Sequence, residues 1–160
     1  MTREKRNALF QEVVRKKQSS MYRAAYVLMK RPEDAEDAVW EAVSNVYKSL
    51  GTLRDEQALP AYLMRAVINT CKSQLRKKGR EFPVEDFAPY EKGAEGDTPV
   101  WFYLTGLPEK YSLPLVMKFS ENMTTNEIAA ALGLPEGTVS TRISRGLKIL
   151  KKQMEGGEEA

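Results

Sequence analysis

The segment 124–154, TTNEIAAALGLPEGTVSTRISRGLKILKKQM, constrains the fold more than any other part of the chain. Thr124 and Glu127 have the spacing of a capping box, which predicts the start of a helix. Gly133 favours the left-handed backbone that ends a helix, and Pro135 suits the first turn of the next one. The pattern therefore predicts two short helices joined by a tight turn, the layout of a helix-turn-helix DNA-binding motif.

The second of these helices has an apolar side and a basic side. Apolar residues recur at steps of three and four and predict one buried stripe, which consists of Val139, Ile143, Gly146, Leu147, Leu150 and Met154. The other side suits DNA, because arginine matches guanine edges and phosphates while hydroxyl groups bond to bases or backbone. An isolated basic helix is more often a solvated surface helix, but the capped helix and turn before it favour DNA binding. The candidate DNA-binding residues of this side are Thr141, Ser144, Arg145, Lys148 and Lys152, with Arg142 on its flank.

The composition argues against an enzyme. The 160 residues include one cysteine and no histidine, so an intrachain disulfide is excluded and the commonest general base and zinc ligand are missing. We find no glycine-rich phosphate loop and no nucleophile motif, and we therefore predict no catalysis, metal or cofactor.

No apolar run approaches the roughly 18 residues of a membrane span, and the N-terminus lacks the apolar core of a signal peptide. We expect a cytoplasmic protein without membrane insertion.

Positive charge is concentrated in parts of the chain, although the net charge is only +3. For nucleic-acid binding the distribution of charge matters more than its total. Six basic residues and no acidic residue lie between Ala61 and Arg80, whereas six acidic residues and one lysine lie between Glu81 and Asp97. We therefore predict two basic surfaces separated by an acidic joint.

Helical periodicity without strand-like alternation predicts an all-α fold. The first helix is expected at about residues 3–30, with Ser19-Ser20 as a candidate break. The second helix begins at Arg31-Pro32, and Gly51 is expected to end it. Its apolar stripe consists of Ala35, Ala38, Val39, Ala42, Val43, Val46, Tyr47 and Leu50.

A third helix, expected at about residues 59–78, completes a small three-helix core. Pro114 should bend or shorten a later helix that supports the helix-turn-helix. The glycine, proline and acidic residues of the intervening segment are typical of a linker. We expect the buried side of the third helix to be Leu63, Val67, Cys71 and Leu75. The chain is thus divided into a domain of residues 1–79, an acidic flexible linker of residues 80–98 and a domain of residues 99–160.

Three segments carry a family resemblance that spans almost the whole chain: RPEDAEDAVWEAVSNVY, AYLMRAVINTCKSQLRKKGR and LPEKYSLPLVMKFSENMTTNEIAAALGLPEGTVSTRISRGLKIL. They resemble regions 2.2, 2.3–2.4 and 4 of bacterial sigma factors of the extracytoplasmic-function group, the smallest members of the sigma-70 family. The resemblance implies a sigma factor that binds core RNA polymerase and promoter DNA and directs promoter-specific initiation. Many family members are held inactive by an anti-sigma protein, so such a partner is implied as well.

The resemblance assigns polymerase docking to the second helix. An alternative role for acids in the first turn is stabilisation of the helix dipole, but Asp37 lies beyond that turn. Trp40 stands where the family usually has glutamine, and it is either a core anchor or an exposed contact to polymerase. The implied polymerase-binding residues are Asp34, Asp37, Glu41 and Asn45.

The resemblance assigns the minus 10 element of the promoter to the third helix. Tyr62 stands where the family usually has tryptophan, so it either stacks on an unpaired base or packs in the core. Asn69 matches a position where the family keeps asparagine, which implies a bond from its amide to a base edge or to backbone groups. The loop Leu53 to Gln57 corresponds to the family's base-capturing loop. The implied minus 10 residues are Tyr62, Arg65, Asn69, Lys72, Arg76, Lys77 and Lys78.

The helix Glu136 to Gln153 is assigned to the minus 35 element in the major groove. The resemblance adds Ser140 to the residues implied for the minus 35 element. Ser140 and Leu147 stand where the family often has lysine and arginine, which implies weaker binding to phosphates or a different preferred sequence. The acidic linker either stays extended and soluble or mimics an RNA backbone.

The main alternative function is an operator-binding helix-turn-helix regulator, which would leave the basic third helix unexplained. A second alternative is an adaptor protein without promoter selectivity.

Overall fold

A computed structural model describes residues 2–78, 103–104 and 106–159. Every regular element within those residues is helical, which confirms the all-α prediction. The chain divides into two compact units, Met1–Glu81 and Phe82–Ala160. The predicted acidic linker, residues 80–98, lies outside the described residues.

The first unit is a bundle of three helices, α1 (Arg3–Met29), α2 (Pro32–Lys48) and α3 (Leu59–Lys77), and each helix packs on the other two. Two short 3₁₀ turns, Leu50–Thr52 and Glu56–Ala58, connect α2 to α3. Burial of each large apolar side chain contributes roughly 1.5–3 kcal/mol, so this core holds the three helices together. Its fully buried members include Met21, Tyr26, Val27, Leu28, Leu59, Leu63, Val67 and Ile68.

Helix α1 runs without a break, so the interruption predicted at Ser19-Ser20 is wrong. Ser20 is buried together with Met21, and tertiary packing outweighs the weak helix propensity of serine. The helix begins after Thr2, whose hydroxyl oxygen accepts the Lys5 N–H at 3.2 Å. It ends at Met29, and the next residue, Lys30, adopts the left-handed backbone with φ of 67°.

Helix α2 begins at Pro32 as predicted, but it ends at Lys48, before Gly51. Ser49 ends it locally, because its hydroxyl donates to the carbonyl of Val46 at 3.2 Å and the chain then enters a 3₁₀ turn. The predicted stripe is buried except for Tyr47, which is 48% exposed. Tyr47 lies at the edge of the stripe, where its ring packs against Phe10 with centroids 5.3 Å apart.

Helix α3 buries Leu63, Val67 and Cys71 as predicted, while Leu75 near its end is half-buried. Pro60 lies in the first turn, where its missing N–H costs no helical hydrogen bond. The opposite side of the helix faces solvent along its whole length, and this exposure makes it available as a binding surface.

The second unit contains α4 (Glu109–Leu115), a π-helical turn (Val116–Ser120), α5 (Thr125–Leu132) and α6 (Glu136–Glu159). Helix α6 packs on both α4 and α5. Helix α4 contains Pro114 and is only seven residues long, so the predicted shortening is confirmed. The fully buried side chains of this unit include Leu107, Leu115, Met117, Ile128 and Val139.

Gly146 lets α6 approach α4 closely. A Cβ atom at this position would lie 2.9 Å from Leu115 Cδ1 and 3.1 Å from Tyr111 Cβ, closer than side-chain atoms normally pack. The predicted apolar stripe thus contains a glycine because the neighbouring helix occupies the space of a side chain.

Candidate nucleic-acid and polymerase interfaces

The helix-turn-helix forms as its sequence predicts. The Thr124 N–H donates to Glu127 Oε1 at 2.8 Å, and the Glu127 N–H donates to Thr124 Oγ1 at 3.1 Å, so the capping box is complete. Gly133 ends α5 with φ of 68°, a conformation that costs glycine little. The carbonyl of Pro135 then accepts the Val139 N–H at 3.1 Å and opens α6. These local bonds set the turn between the two helices.

The buried side of α6 consists of Val139, Ile143, Gly146 and Leu150. The prediction that Leu147 belongs to this side is wrong, because 40% of it is exposed. It follows Gly146 by one residue, about 100° around the helix, and this step carries its side chain to the edge of the stripe. Met154 is half-buried.

The residues predicted for the minus 35 element share the accessible side of α6. Arg142 is half-buried at the margin, and the others are exposed. Lys151 is also exposed, seven residues after Ser144 and therefore on nearly the same line of the helix. Sequence reasoning missed Lys151, although helical spacing places it on this side. The exposed set is Ser140, Thr141, Ser144, Arg145, Lys148 and Lys152.

Helix α3 presents a second basic face. All seven residues predicted for the minus 10 element are exposed. Steps of three, four and seven residues bring five of them onto one face, whereas Lys77 and Lys78 lie elsewhere around the helix. Lys78 Nζ instead lies 3.3 Å from Asp34 Oδ2 on α2. The shared face consists of Tyr62, Arg65, Asn69, Lys72 and Arg76.

Tyr62 and the loop Leu53 to Gln57 meet at one cleft of about 280 Å³. Tyr62 is 46% exposed, so it does not belong to the core. Asp55 Oδ1 accepts the Gln57 N–H at 3.0 Å, and the Thr52 hydroxyl donates to the Ser49 carbonyl at 2.7 Å. These bonds fix the shape of the loop. Val46, Leu50 and Leu59 form the apolar part of its wall. The sequence analysis missed this role, because it assigned Val46 and Leu50 to a buried stripe only and gave Leu59 no role.

Of the four residues predicted to bind polymerase, two contact side chains at α3 and two are exposed on α2. Asp34 pairs with Lys78, and Glu41 Oε2 accepts a hydrogen bond from Gln74 Nε2 at 3.0 Å, so both are engaged with α3. Asp37 and Asn45 are exposed on the same helix. Trp40 is 62% exposed, which rules out a place in the core.

Cys71 lies in the core of the first unit. Burial raises the pKa of its thiol to about 12, because the thiolate would lose its hydration there.

Within the described residues, no group of three or more histidine, cysteine, aspartate or glutamate side chains could hold a metal ion. None of the helices described is long and apolar enough to cross a membrane.

This fold and these faces define a helical DNA-binding protein with a helix-turn-helix in one unit and a basic three-helix bundle in the other. The family profile described as Sigma-70 region 2 matches residues 13–81, and that described as Sigma-70, region 4 matches residues 100–150. The RNA polymerase sigma-E factor of Streptomyces coelicolor is 32% identical, over 91% of this chain and 85% of its own length.

The RNA polymerase sigma factor SigV of Bacillus subtilis is 30% identical, over 83% of each chain, and the ECF factor SigM of Mycobacterium tuberculosis is 28% identical, over 85% of this chain and 72% of its own. The chain belongs to the sigma-70 family of RNA polymerase sigma factors, in its extracytoplasmic-function group. Membership confirms the predicted role of a promoter-directing sigma factor and disfavours the operator-binding regulator.

The same fold occurs in a solved structure, the sigma factor RpoE of Bartonella quintana in complex with the anti-sigma factor NepR. The TM-score is 0.74, with 21% identity over 91% of this chain and 96% of that one.

Proposed function

We propose that α2 binds core RNA polymerase while α3 and α6 read two separate promoter elements. Residues 1–79 would form the domain for the polymerase and the minus 10 element, and residues 99–160 the domain for the minus 35 element. The observation that carries this division is that each unit exposes its own basic helical face, opposite a buried apolar stripe. The protein would act in the cytoplasm, without a catalytic step of its own.

In the second unit, α6 would enter the major groove of the minus 35 element. Its N-terminal half carries Thr141, Ser144 and Arg145 on the exposed side, where a recognition helix contacts bases. Lys148 and Lys152 lie one and two turns further on and would bond to phosphates, which hold the helix in register. The exposed Leu147 adds an apolar contact suited to a thymine methyl group.

In the first unit, α3 would hold the minus 10 element as single strands. Arg65, Lys72 and Arg76 form a row of charges that would follow the phosphates. Tyr62 lies at the end of this row and lines the cleft beside the loop Leu53 to Gln57. An unstacked base would enter the cleft and contact the tyrosine ring, with Asn69 offering an amide to a base edge.

The acidic linker would keep the two domains soluble and let each bind its own promoter element. Docking on polymerase would set the distance between the two domains. Two DNA-binding domains that each bind weakly gain affinity for the promoter when they are joined and their spacing matches that of its two elements. An anti-sigma protein that covers α2 and α6 would prevent both contacts, and the complex of the Bartonella quintana factor with NepR supports this class of partner.

The test is in vitro transcription with bacterial core RNA polymerase on a library of promoter fragments, with and without this protein. Initiation that depends on the protein and on the promoter sequence is expected, and the selected fragments would give the promoter preference. Tight binding to duplex DNA without any initiation would overturn the proposal.

A further inference from the structure

The first two turns of α1 extend past the end of α2. Phe10 of α1 packs against Tyr47, next to the last residue of α2, with ring centroids 5.3 Å apart. Arg3, the first residue of α1, precedes Phe10 by seven residues and lies about 10 Å further along the helix axis. The start of α1 therefore lies at the end of the bundle where the chain leaves α2 for the loop, which we call the loop end.

The cleft beside Tyr62 lies at the loop end as well. Lys78, just after α3, pairs with Asp34 in the first turn of α2, so the end of α3 lies beside the start of α2. The start of α3, which carries Tyr62, consequently lies beside the end of α2, where α1 begins. The row of basic side chains on α3 leads away from the cleft in the opposite direction.

Arg3 and Arg6 lie on the side of α1 that faces the bundle. They precede Phe10 by seven and four residues, which places them within about 40° of its direction around the helix. Arg6 is half-buried, whereas Glu4 and Lys5 are exposed and lie more than about 100° from that direction. Helical spacing thus directs both arginines towards the loop end.

Positive charge predominates at the loop end. Asp55, one of the carboxylates there, already accepts the Gln57 N–H through Oδ1. The exposed acids in the first half of α2 lie towards the other end of the bundle, and so does Lys17 of α1. Within residues 2–9 and 48–58 the cations are Arg3, Lys5, Arg6, Lys48 and Arg54, and the carboxylates are Glu4, Asp55 and Glu56.

The cations at the start of α1 do not serve the stability of the helix. The N-terminus is the positive end of the helix dipole, so cations in the first turn are unfavourable there. Arg3, Lys5 and Arg6 nevertheless lie within the first four positions, with Glu4 as the acidic residue of the first turn. In the part of the chain that the structure describes, no carboxylate forms an ion pair with Arg3 or Arg6. A bound anion would offset this repulsion.

We propose that Arg3 and Arg6 bind phosphates of the promoter strand where it leaves the cleft, so that α1 is a further DNA-binding helix. The inference rests on the proposed function, in which an unstacked base enters the cleft and α3 holds the strand on one side of that base. A continuous strand leaves the cleft on the other side of the base, at the loop end. Arginine suits this place, because its fork of N–H donors binds two phosphate oxygens. Such contacts stabilise the open strand whatever its sequence.

Binding of labelled single strands to holoenzyme, assembled from core polymerase and the full chain, tests this assignment. The strands carry the minus 10 element of a promoter selected by transcription. One strand is limited to the element, and two others extend it by several nucleotides at one end or the other. The double variant Arg3→Gln with Arg6→Gln should bind one of the extended strands about tenfold more weakly than wild type at about 0.15 M salt, and the short strand equally well.

The salt dependence gives a second expected value. On the affected strand, the slope of log affinity against log salt should decrease in magnitude by about 1.4, since each phosphate contact of a single strand contributes about 0.7. Arg3→Gln alone, at an exposed position, should lose about threefold. Thermal stability of both variants should be at or above that of wild type, because cations leave the positive end of a helix dipole.

Lys5→Gln is the matched control, because it removes a cation from the same turn of α1 on a side away from Phe10. It should bind all three strands as wild type does. An equal loss on all three strands, or an equal loss in Lys5→Gln, would indicate a general effect of net charge and overturn the inference. Unchanged strand binding by the double variant would overturn it as well.

Neutral methylphosphonates, placed at one phosphate of the extension at a time, locate the contact. At the phosphates that the arginines bind, neutralisation should weaken wild-type binding severalfold and leave the double variant almost unaffected, because its contact is already lost. Losses that add independently at every phosphate would overturn the inference.

The affinity of the double variant for core polymerase, by competition against a dye-labelled wild-type chain, should equal that of wild type. A loss of this affinity, with strand binding by the assembled holoenzyme intact, would assign the arginines to a protein contact and overturn the inference. If wild-type holoenzyme initiates on no promoter, the proposed function fails. If it initiates and the double variant binds the extended strands as wild type does, only this inference fails.

Discussion

Lys78 Nζ lies 3.3 Å from Asp34 Oδ2, so a residue predicted to bind DNA is paired with a residue predicted to bind polymerase. The pair connects the end of α3 to the first turn of α2. The Lys78 side chain is 54% exposed and that of Asp34 is 26% exposed, so solvent screens their attraction. The two proposed interfaces of the first unit therefore share a weak contact.

A double-mutant cycle with Asp34→Asn and Lys78→Met should yield a coupling free energy of about 0.2–1 kcal/mol in urea unfolding. The coupling should shrink as salt is added, because screening shortens the range of the attraction. Coupling of zero at low salt would show that the pair does not persist in solution. A cycle between Asp34→Asn and Lys16→Met serves as the control, since Lys16 pairs with Glu12 instead.

Asp37→Arg should weaken binding to core polymerase by about tenfold or more, because a reversed charge on the exposed face of α2 repels a cationic partner. Binding to promoter duplex should be unaffected. Titration of core polymerase with the labelled variants measures both values. Glu12→Arg, a charge reversal on α1, should bind polymerase normally; unchanged affinity of Asp37→Arg would show that the docking surface lies elsewhere.

Arg145→Ala should weaken promoter binding by about tenfold, since a bidentate contact of arginine with a base is worth about 1–3 kcal/mol. Polymerase affinity should stay at the wild-type value. Electrophoretic mobility shifts on the promoter selected by transcription provide the comparison, with Lys110→Ala on α4 as a cation removed from outside the recognition face. An equal loss of polymerase affinity would contradict the assignment of α6 to DNA.

Gly146→Ala should destabilise the second unit by about 1–3 kcal/mol, although alanine is the better helix former. The new methyl group would meet Leu115 Cδ1 at 2.9 Å and Tyr111 Cβ at 3.1 Å, and the second atom cannot rotate away. Gly137→Ala is the matched control, because nothing lies within 4 Å of its added Cβ. Chemical denaturation should show Gly137→Ala at or above wild-type stability, and equal stability of the two variants would refute the close approach.

The thiol of Cys71 predicts a pH dependence of stability. Burial raises its pKa from 9.0 to about 12, so the neutral thiol is favoured in the folded state. Its contribution to the free energy of unfolding is complete below about pH 9, and it is lost as the pH rises towards 12, because the unfolded chain deprotonates first. The difference in unfolding free energy between wild type and Cys71→Ala should therefore decrease across this range. A constant difference would mean that the thiol is accessible.

Sequence reasoning succeeds where neighbours along the chain set the structure. The capping box of Thr124 and the left-handed Gly133 depend on bonds and steric limits within a few residues, and the structure has both. Prediction from the sequence fails where contacts with another helix decide the outcome. Ser20 stays in a continuous helix, where it is buried together with Met21, and Tyr47 lies at the edge of the core with its ring against Phe10.

The sequence by itself determined the helices, most of their buried stripes and the exposed basic residues of α3 and α6, since helical period and capping act within a few turns. Only the tertiary structure decided which of these residues share a surface. It paired Lys78 with Asp34, placed Tyr62 beside the loop at the cleft, and left Trp40 exposed. The physical reason is that pairing and exposure depend on which helices pack together, and residues far apart in the chain meet only when the cores are built.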